Sequence, residues 1–235
     1  MSTQRTLPRR AVAELVGTAS LVAVVVGSGI QASALSPDVG VRLLANSLAS
    51  AIGLGLLIAL FGPVSGAHLN PVVTLSEWWS NRRTTRVREA ALYIAAQLSG
   101  AVTGALLAEA MFGRAPGTWS TQIRSGSHLL LGEIVATAGL VLLIRGLQRI
   151  DRAALIPVGV ASYIAAAIWF TSSGSFANPA ATVGRSFSDS FTGIAPGSLP
   201  GFIGSQLLGC VLGIGLAALL YGPNRAPRPA DIATG

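Results

Sequence analysis

Read alone, the sequence describes an all-α membrane protein of six transmembrane helices and two re-entrant half-helices, arranged as an inverted repeat. Composition is the first reason. Of 235 residues, 51% are hydrophobic and 11% charged, and mean hydropathy is +0.63, whereas a soluble domain carries about 25% charged residues. A motif that occurs twice is the second reason. Gly66-Ala67-His68-Leu69-Asn70-Pro71 and Gly174-Ser175-Phe176-Ala177-Asn178-Pro179 each set Asn-Pro behind a Gly-led loop in apolar sequence. Asn is a strong helix N-cap, and Pro is favoured at the first helical position. Length is the third. Each Asn-Pro is followed by only about ten residues before polar signals, and a bilayer takes about 20 to cross.

The spans are expected at 10–33, 41–62, 88–112, 128–148, 154–172 and 199–221. Each is an apolar run of membrane-crossing length. The first follows Arg9-Arg10 but is too long for a signal peptide and lacks a convincing cleavage site, so it counts as a span. Turn and polar signals separate the runs: Ser36-Pro37-Asp38, Asn81-Arg82-Arg83, Gly113 to Gly126, Gln148 to Arg152, and Ala195-Pro196-Gly197. The half-helices are expected at Asn70–Trp79 and Asn178–Ser190. A helix start at membrane depth is tolerated only where it lines a cavity or is buried in protein.

All sixteen basic residues are Arg, and net charge is +7. The Arg cluster between apolar runs, as a topology signal does, which argues against nucleic acid as a partner. With six spans, one side receives Arg5, Arg9, Arg10, Arg82, Arg83, Arg86, Arg88, Arg145, Arg149, Arg152, Arg225 and Arg228. The other receives Arg42, Arg114, Arg124 and Arg185. This bias predicts that both termini are cytoplasmic. The lone Cys210 excludes an intrachain disulfide.

The repeat reaches beyond the Asn-Pro boxes. Ala13-Glu14-Leu15-Val16-Gly17-Thr18 in span one matches Gly132-Glu133-Ile134-Val135-Ala136-Thr137 in span four. Ala96-Gln97-Leu98-Ser99-Gly100 in span three matches Ser205-Gln206-Leu207-Leu208-Gly209 in span six. Residues 1–115 and 125–235 therefore read as two copies of one unit. Three spans per copy make the copies inverted in the membrane. Gly100-x-x-x-Gly104 and Gly209-x-x-x-Gly213 hold matching places and would let helices approach closely.

Two helix N-termini facing each other at the midplane would each carry roughly +0.5 charge. For a monovalent cation ~4 Å away, at an effective dielectric of ~20, each repels by about 2 kcal/mol. Neutral solutes escape that repulsion. Asn70 and Asn178 each present an amide donor to an oxygen-bearing solute; the alternative is that both are only caps. Glu14 and Glu133 are intramembrane carboxyls. They serve either proton coupling or bracing of the re-entrant loops. Gln97 and Gln206 suit interhelical or loop bracing. His68 is a hydrogen bonder or a pore-lining group.

These features together resemble the major intrinsic protein (aquaporin) family over nearly the whole chain. The resemblance implies an aquaporin-like fold around one pore, a homotetramer, no cofactor or metal, and no enzymatic activity. It places Asn70, Pro71, Val72, Asn178, Pro179 and Ala180 at the pore midplane, and it favours loop bracing for Glu14 and Glu133. Counted from the boxes, the family's selectivity-filter positions fall at Ser50, Ala166, Ser175 and Ala181. Typical members carry Arg where this chain has Ala181, which removes a bulky side chain with five fixed donors. The expected constriction is wide and weakly polar. Arg185, one helical turn beyond Ala181, either supplies a vestibule charge or pairs with Asp189 four residues on; the spacing favours the pair.

The small filter and the Ser-Phe-Ala-Asn-Pro-Ala box look like bacterial aquaporins associated with arsenic resistance. That resemblance implies a passive channel of the bacterial inner membrane for arsenous acid, other metalloid acids, polyols and water. A glycerol or urea facilitator and a water channel are the nearest alternatives. A proton-coupled transporter and a non-conducting structural protein stand further off.

Overall fold

The computed structural model describes residues 6–82 and 86–222. Arg5, Arg83, Arg225 and Arg228, counted above for orientation, lie outside the described residues, as do the first residues and the last ones of the chain.

The six long helices are α1 (Leu7–Leu35), α2 (Val39–Ser65), α4 (Val87–Met111), α5 (Ser127–Arg149), α6 (Ile156–Phe170) and α8 (Leu199–Tyr221). All six, with the single helical turns at Ala153–Leu155 and Pro196–Ser198 that lead into α6 and α8, are long and apolar enough to cross a membrane. Local chemistry sets their ends. The Asp38 carboxylate caps α2 by accepting from Val41 N at 2.8 Å. At its other end Gly66, at φ 90°, takes the left-handed turn that a side chain would resist. Span five stops at Phe170 rather than at residue 172, because Thr171 turns extended.

The two short helices start where the Asn-Pro boxes predict. In α3 (Pro71–Ser80) the Asn70 side chain accepts from Val72 N, and in α7 (Pro179–Arg185) the Asn178 side chain accepts from Ala180 N and Ala181 N. The expected second half-helix, 178–190, is too long: α7 ends at Arg185. Its polar tail finds partners off the helix axis. The Ser186 hydroxyl donates back to the Val183 carbonyl, Arg185 Nε reaches the Thr192 carbonyl, and the Ser188 hydroxyl bonds the Glu109 carboxylate. Side-chain bonds of this kind compete with helix continuation.

Packing repeats between the halves. A Cβ at Gly100 or Gly104 would collide with the Leu15 or Ala19 carbonyl of α1. A Cβ at Gly209 or Gly213 would collide with the Ile134 or Ala138 carbonyl of α5. So α4 lies on α1 as α8 lies on α5, in backbone contact. With no hydrophobic drive between helices in lipid, such close approach supplies the attraction. The half-helices sit inside: Gly184 of α7 abuts the Ala101 carbonyl of α4, and Val72 of α3 packs on Val141 and Cys210 of α5 and α8.

Candidate functional site

Each Asn-Pro box is approached by a strained loop. Ala67 and Leu69 before the first, and Ser175 and Ala177 before the second, have φ between 45° and 49°. Non-glycine residues reach this region at a cost of order 1–2 kcal/mol each, so something must hold them. Glu14 and Glu133 do so. Glu14 Oε1 accepts from Ser65 Oγ at 2.6 Å and His68 N at 2.9 Å, and Oε2 accepts from Leu69 N at 2.7 Å and Gln97 Nε2 at 2.8 Å. Glu133 accepts from Phe176 N and Ala177 N, both at 2.9 Å, and from Gln206 Nε2 at 2.6 Å. Gln97 and Gln206 also donate to the hydroxyls of Thr74 and Thr182, one in each half-helix, at 2.9 Å. Both carboxylates are fully buried and saturated with donors, and neither lines the central cavity.

The loops are tied to each other by the two Asn side chains. Asn70 Nδ2 donates to the Ala177 carbonyl and Asn178 Nδ2 to the Leu69 carbonyl, both at 2.8 Å. Each amide thus caps its own helix, bridges to the opposite loop, and keeps one proton for a solute.

A cavity of about 710 Å³ runs past this crossing, lined by Asn70 and Asn178 at its middle. Pro71, Val72, Pro179 and Ala180 do not line it; they are buried in protein. On one side it reaches His68, Glu77 and Tyr93. His68 Nδ1 lies 3.0 Å from the Thr74 hydroxyl. On the other side it passes Ser50, Ser175 and Ala181 and opens at Phe176, Arg124 and Arg185. Ser50 and Ser175 are each 5% exposed, and their hydroxyls have no hydrogen-bond partner.

Two expected placements are corrected. Ala166 is exposed on the outer face of α6 and does not line the cavity. Ile164 and Ile168 of the same helix do, since two residues along a helix is about 200° of rotation. Arg185 does not pair with Asp189. Because α7 has ended, the helical spacing between them no longer holds. The Asp189 carboxylate instead accepts from Thr121 N and Oγ1 at 2.9 Å.

Two features, the places of Arg124 and Arg145, were not anticipated. Arg124, counted only as a loop charge, donates to the Gly193 carbonyl at 2.8 Å and the Phe191 carbonyl at 3.3 Å, and it lines the outer mouth. Burial pulls its guanidinium below the ordinary value, against the opposing charge of Glu133. Arg145, counted for orientation near the end of the fourth span, is only 3% exposed within α5 and pairs with Glu77 at 2.8 Å. Trp169 lines the cavity and donates to Ser47 Oγ at 3.1 Å. The one available signal was an acidic Glu77 on a half-helix, which needs a buried cation.

Six membrane-capable helices around a cavity that crosses two capped half-helices define a multi-pass membrane channel protein. The chain belongs to the major intrinsic protein family, whose model matches residues 1–155. It is 47% identical over 219 residues to the aquaglyceroporin AqpS of Rhizobium meliloti (strain 1021), covering 93% of each chain. It is 33% identical over 245 residues to the probable aquaporin AqpM of Archaeoglobus fulgidus, covering 92% of this chain and 96% of the other. The solved aquaglyceroporin from Plasmodium falciparum shares its fold, with a TM-score of 0.70 at 19% identity, over 97% of this chain and all of that one.

Proposed function

We propose that this protein is a passive channel for small uncharged solutes, with a wide constriction that carries no arginine at its narrowest ring. The observation that carries this reading is the cavity wall beyond the two Asn amides. Ser50, Ser175 and Ala181 line it beside Trp169, and at Ala181 the bulk of an Arg is missing. Two unpartnered hydroxyls and two amide protons can exchange hydrogen bonds with a polyhydroxylated solute. Arsenous acid, related metalloid acids, polyols and water have that character. The facing helix N-termini disfavour cations. Glu14 and Glu133 brace the loops: neither lines the cavity, and their oxygens are taken up by loop N–H groups and by Gln97 and Gln206, which favours bracing over coupled protons. Residues 1–115 and 125–235 act as the two inverted units. The inner membrane, cytoplasmic termini and a homotetramer complete the reading, supported by the Arg bias and by the exposed apolar faces of the long helices.

Proteoliposomes test it. Arsenous acid and glycerol should enter down their gradients at rates unaffected by a protonophore. Uptake that collapses with the proton gradient, or vesicles no more permeable than bare lipid, would overturn it.

A further inference from the structure

Ala181 leaves the first turn of α7 without a charge, yet the outer mouth is not uncharged. Arg185 and Arg124 both line it. Their guanidinium carbons lie 3.3 and 5.1 Å from the centroid of the same ring, Phe176. The Phe176 backbone is itself pinned to Glu133. Arg185 spends Nε on the Thr192 carbonyl at 2.5 Å, and Arg124 spends Nε and Nη2 on the carbonyls of Gly193 and Phe191. Neither forms an ion pair among the described residues, unlike Arg10 with Glu89, Arg114 with Glu109 and Arg145 with Glu77. Two guanidinium groups without a salt bridge are therefore held at the mouth by backbone carbonyls and an aromatic face, with the Glu133 carboxylate the opposing charge that acts on both. Deeper in the same cavity, Ser50 and Ser175 offer hydroxyls that no protein group uses.

We propose that Arg185, backed by Arg124, is the selectivity charge of this channel, displaced outward from the ring in which Ala181, Ser50 and Ser175 set the width. The inference rests on the channel reading above. A single Arg at the narrowest point couples charge to bulk, so that rejecting cations also rejects wide solutes. Splitting the filter separates the two. Cations meet two guanidinium groups at a broad mouth, while a hydroxylated neutral solute passes on to a hydroxyl-lined constriction that no side chain fills. For a cation passing within ~7 Å of one unit charge, at an effective dielectric of ~20, the repulsion lowers occupancy by roughly 50-fold.

The test compares wild type, R185Q, R124Q, R185Q/R124Q and R185K in proteoliposomes, each first shown to elute and melt as a folded membrane protein in detergent. Permeability to methylammonium and Na⁺ is read beside water and glycerol flux. R185Q should raise cation permeability, taken as its ratio to water flux in the same vesicles, at least tenfold, R124Q by less and the double variant by most. R185K should keep cations out. Cation exclusion unchanged in folded, water-conducting R185Q/R124Q would overturn the proposal, as would R185K leaking as much as R185Q. If R185Q does not fold, R124Q and R185K decide: a leak in R124Q with exclusion intact in R185K supports the proposal, and exclusion unchanged in R124Q overturns it. Wild-type vesicles impermeable to glycerol and arsenous acid would count against the channel reading. Loss of exclusion confined to the Arg variants bears on this proposal alone.

Discussion

Asn70 donates its side-chain amide to the carbonyl of Ala177 at 2.8 Å, across 107 positions of sequence. Asn178 returns the bond to Leu69. The two re-entrant loops are therefore one unit, and each Asn has three tasks: cap, bridge and solute donor. Asn70→Asp keeps the cap acceptor and loses the bridging donor. It also sets a negative charge at the midplane. We expect a loss of about 1–3 kcal/mol of stability, from the buried Ala177 carbonyl left unpaired, together with a measurable cation leak. Thermal unfolding in detergent and methylammonium uptake in vesicles check both. Unchanged melting would mean that the bridge contributes nothing.

Removing a brace should cost more than weakening it. Glu14→Ala or Glu133→Ala leaves two backbone N–H groups and a Gln amide unmet beside strained residues, and folded yield should fall sharply. Glu14→Gln and Glu133→Gln keep one acceptor oxygen and should keep much of the flux. The yield of monodisperse protein and the glycerol flux per folded protein are the readouts. Full yield with abolished transport in the Gln variants would indicate proton chemistry instead.

Ala181→Arg should restore bulk at the constriction. Glycerol and arsenous acid flux should drop sharply while measurable water flux remains, as read by stopped-flow light scattering. Unchanged permeability to the larger solutes in a folded variant would mean that Ala181 does not set the width.

The half-buried pair Arg145–Glu77 predicts an asymmetric response. Glu77→Ala leaves a guanidinium that is 3% exposed with only the neutral Gln148 and Ser76 oxygens as partners and should cost about 1–3 kcal/mol, whereas replacing both partners with apolar residues should cost less. A double-mutant cycle by thermal unfolding measures the difference.

Glycines give an internal control. Gly104→Ala drives a Cβ into the Ala19 carbonyl, while Gly215→Ala on α8 meets nothing within 4 Å. The first should destabilise strongly by the strain of overpacking, typically 1–3 kcal/mol. The second should be neutral or stabilising by up to about 1 kcal/mol. Equal melting temperatures would contradict backbone contact between α1 and α4.

Sequence by itself determined whatever depends on local chemistry or on the repeat. The Asn-Pro starts and the spans follow from short spacings and apolar runs that occur twice, whereas bracing of the loops by Glu14 and Glu133 was favoured over proton coupling only through the family resemblance. What required the tertiary structure was anything set by helix phase or by the path of an irregular chain. Counting back from Asn178 selects Ala166, but the loop between α6 and the box does not preserve the count, and α6 turns Ile164 and Ile168 to the cavity instead. Spacing also paired Arg185 with Asp189. That rule assumes a helix, and α7 ends first because Ser186 and Ser188 find partners off its axis. Arg124 reached the mouth from a distant loop, where no periodicity marks it. Its place is decided by the carbonyls of Phe191 and Gly193, backbone groups that the fold alone brings within reach.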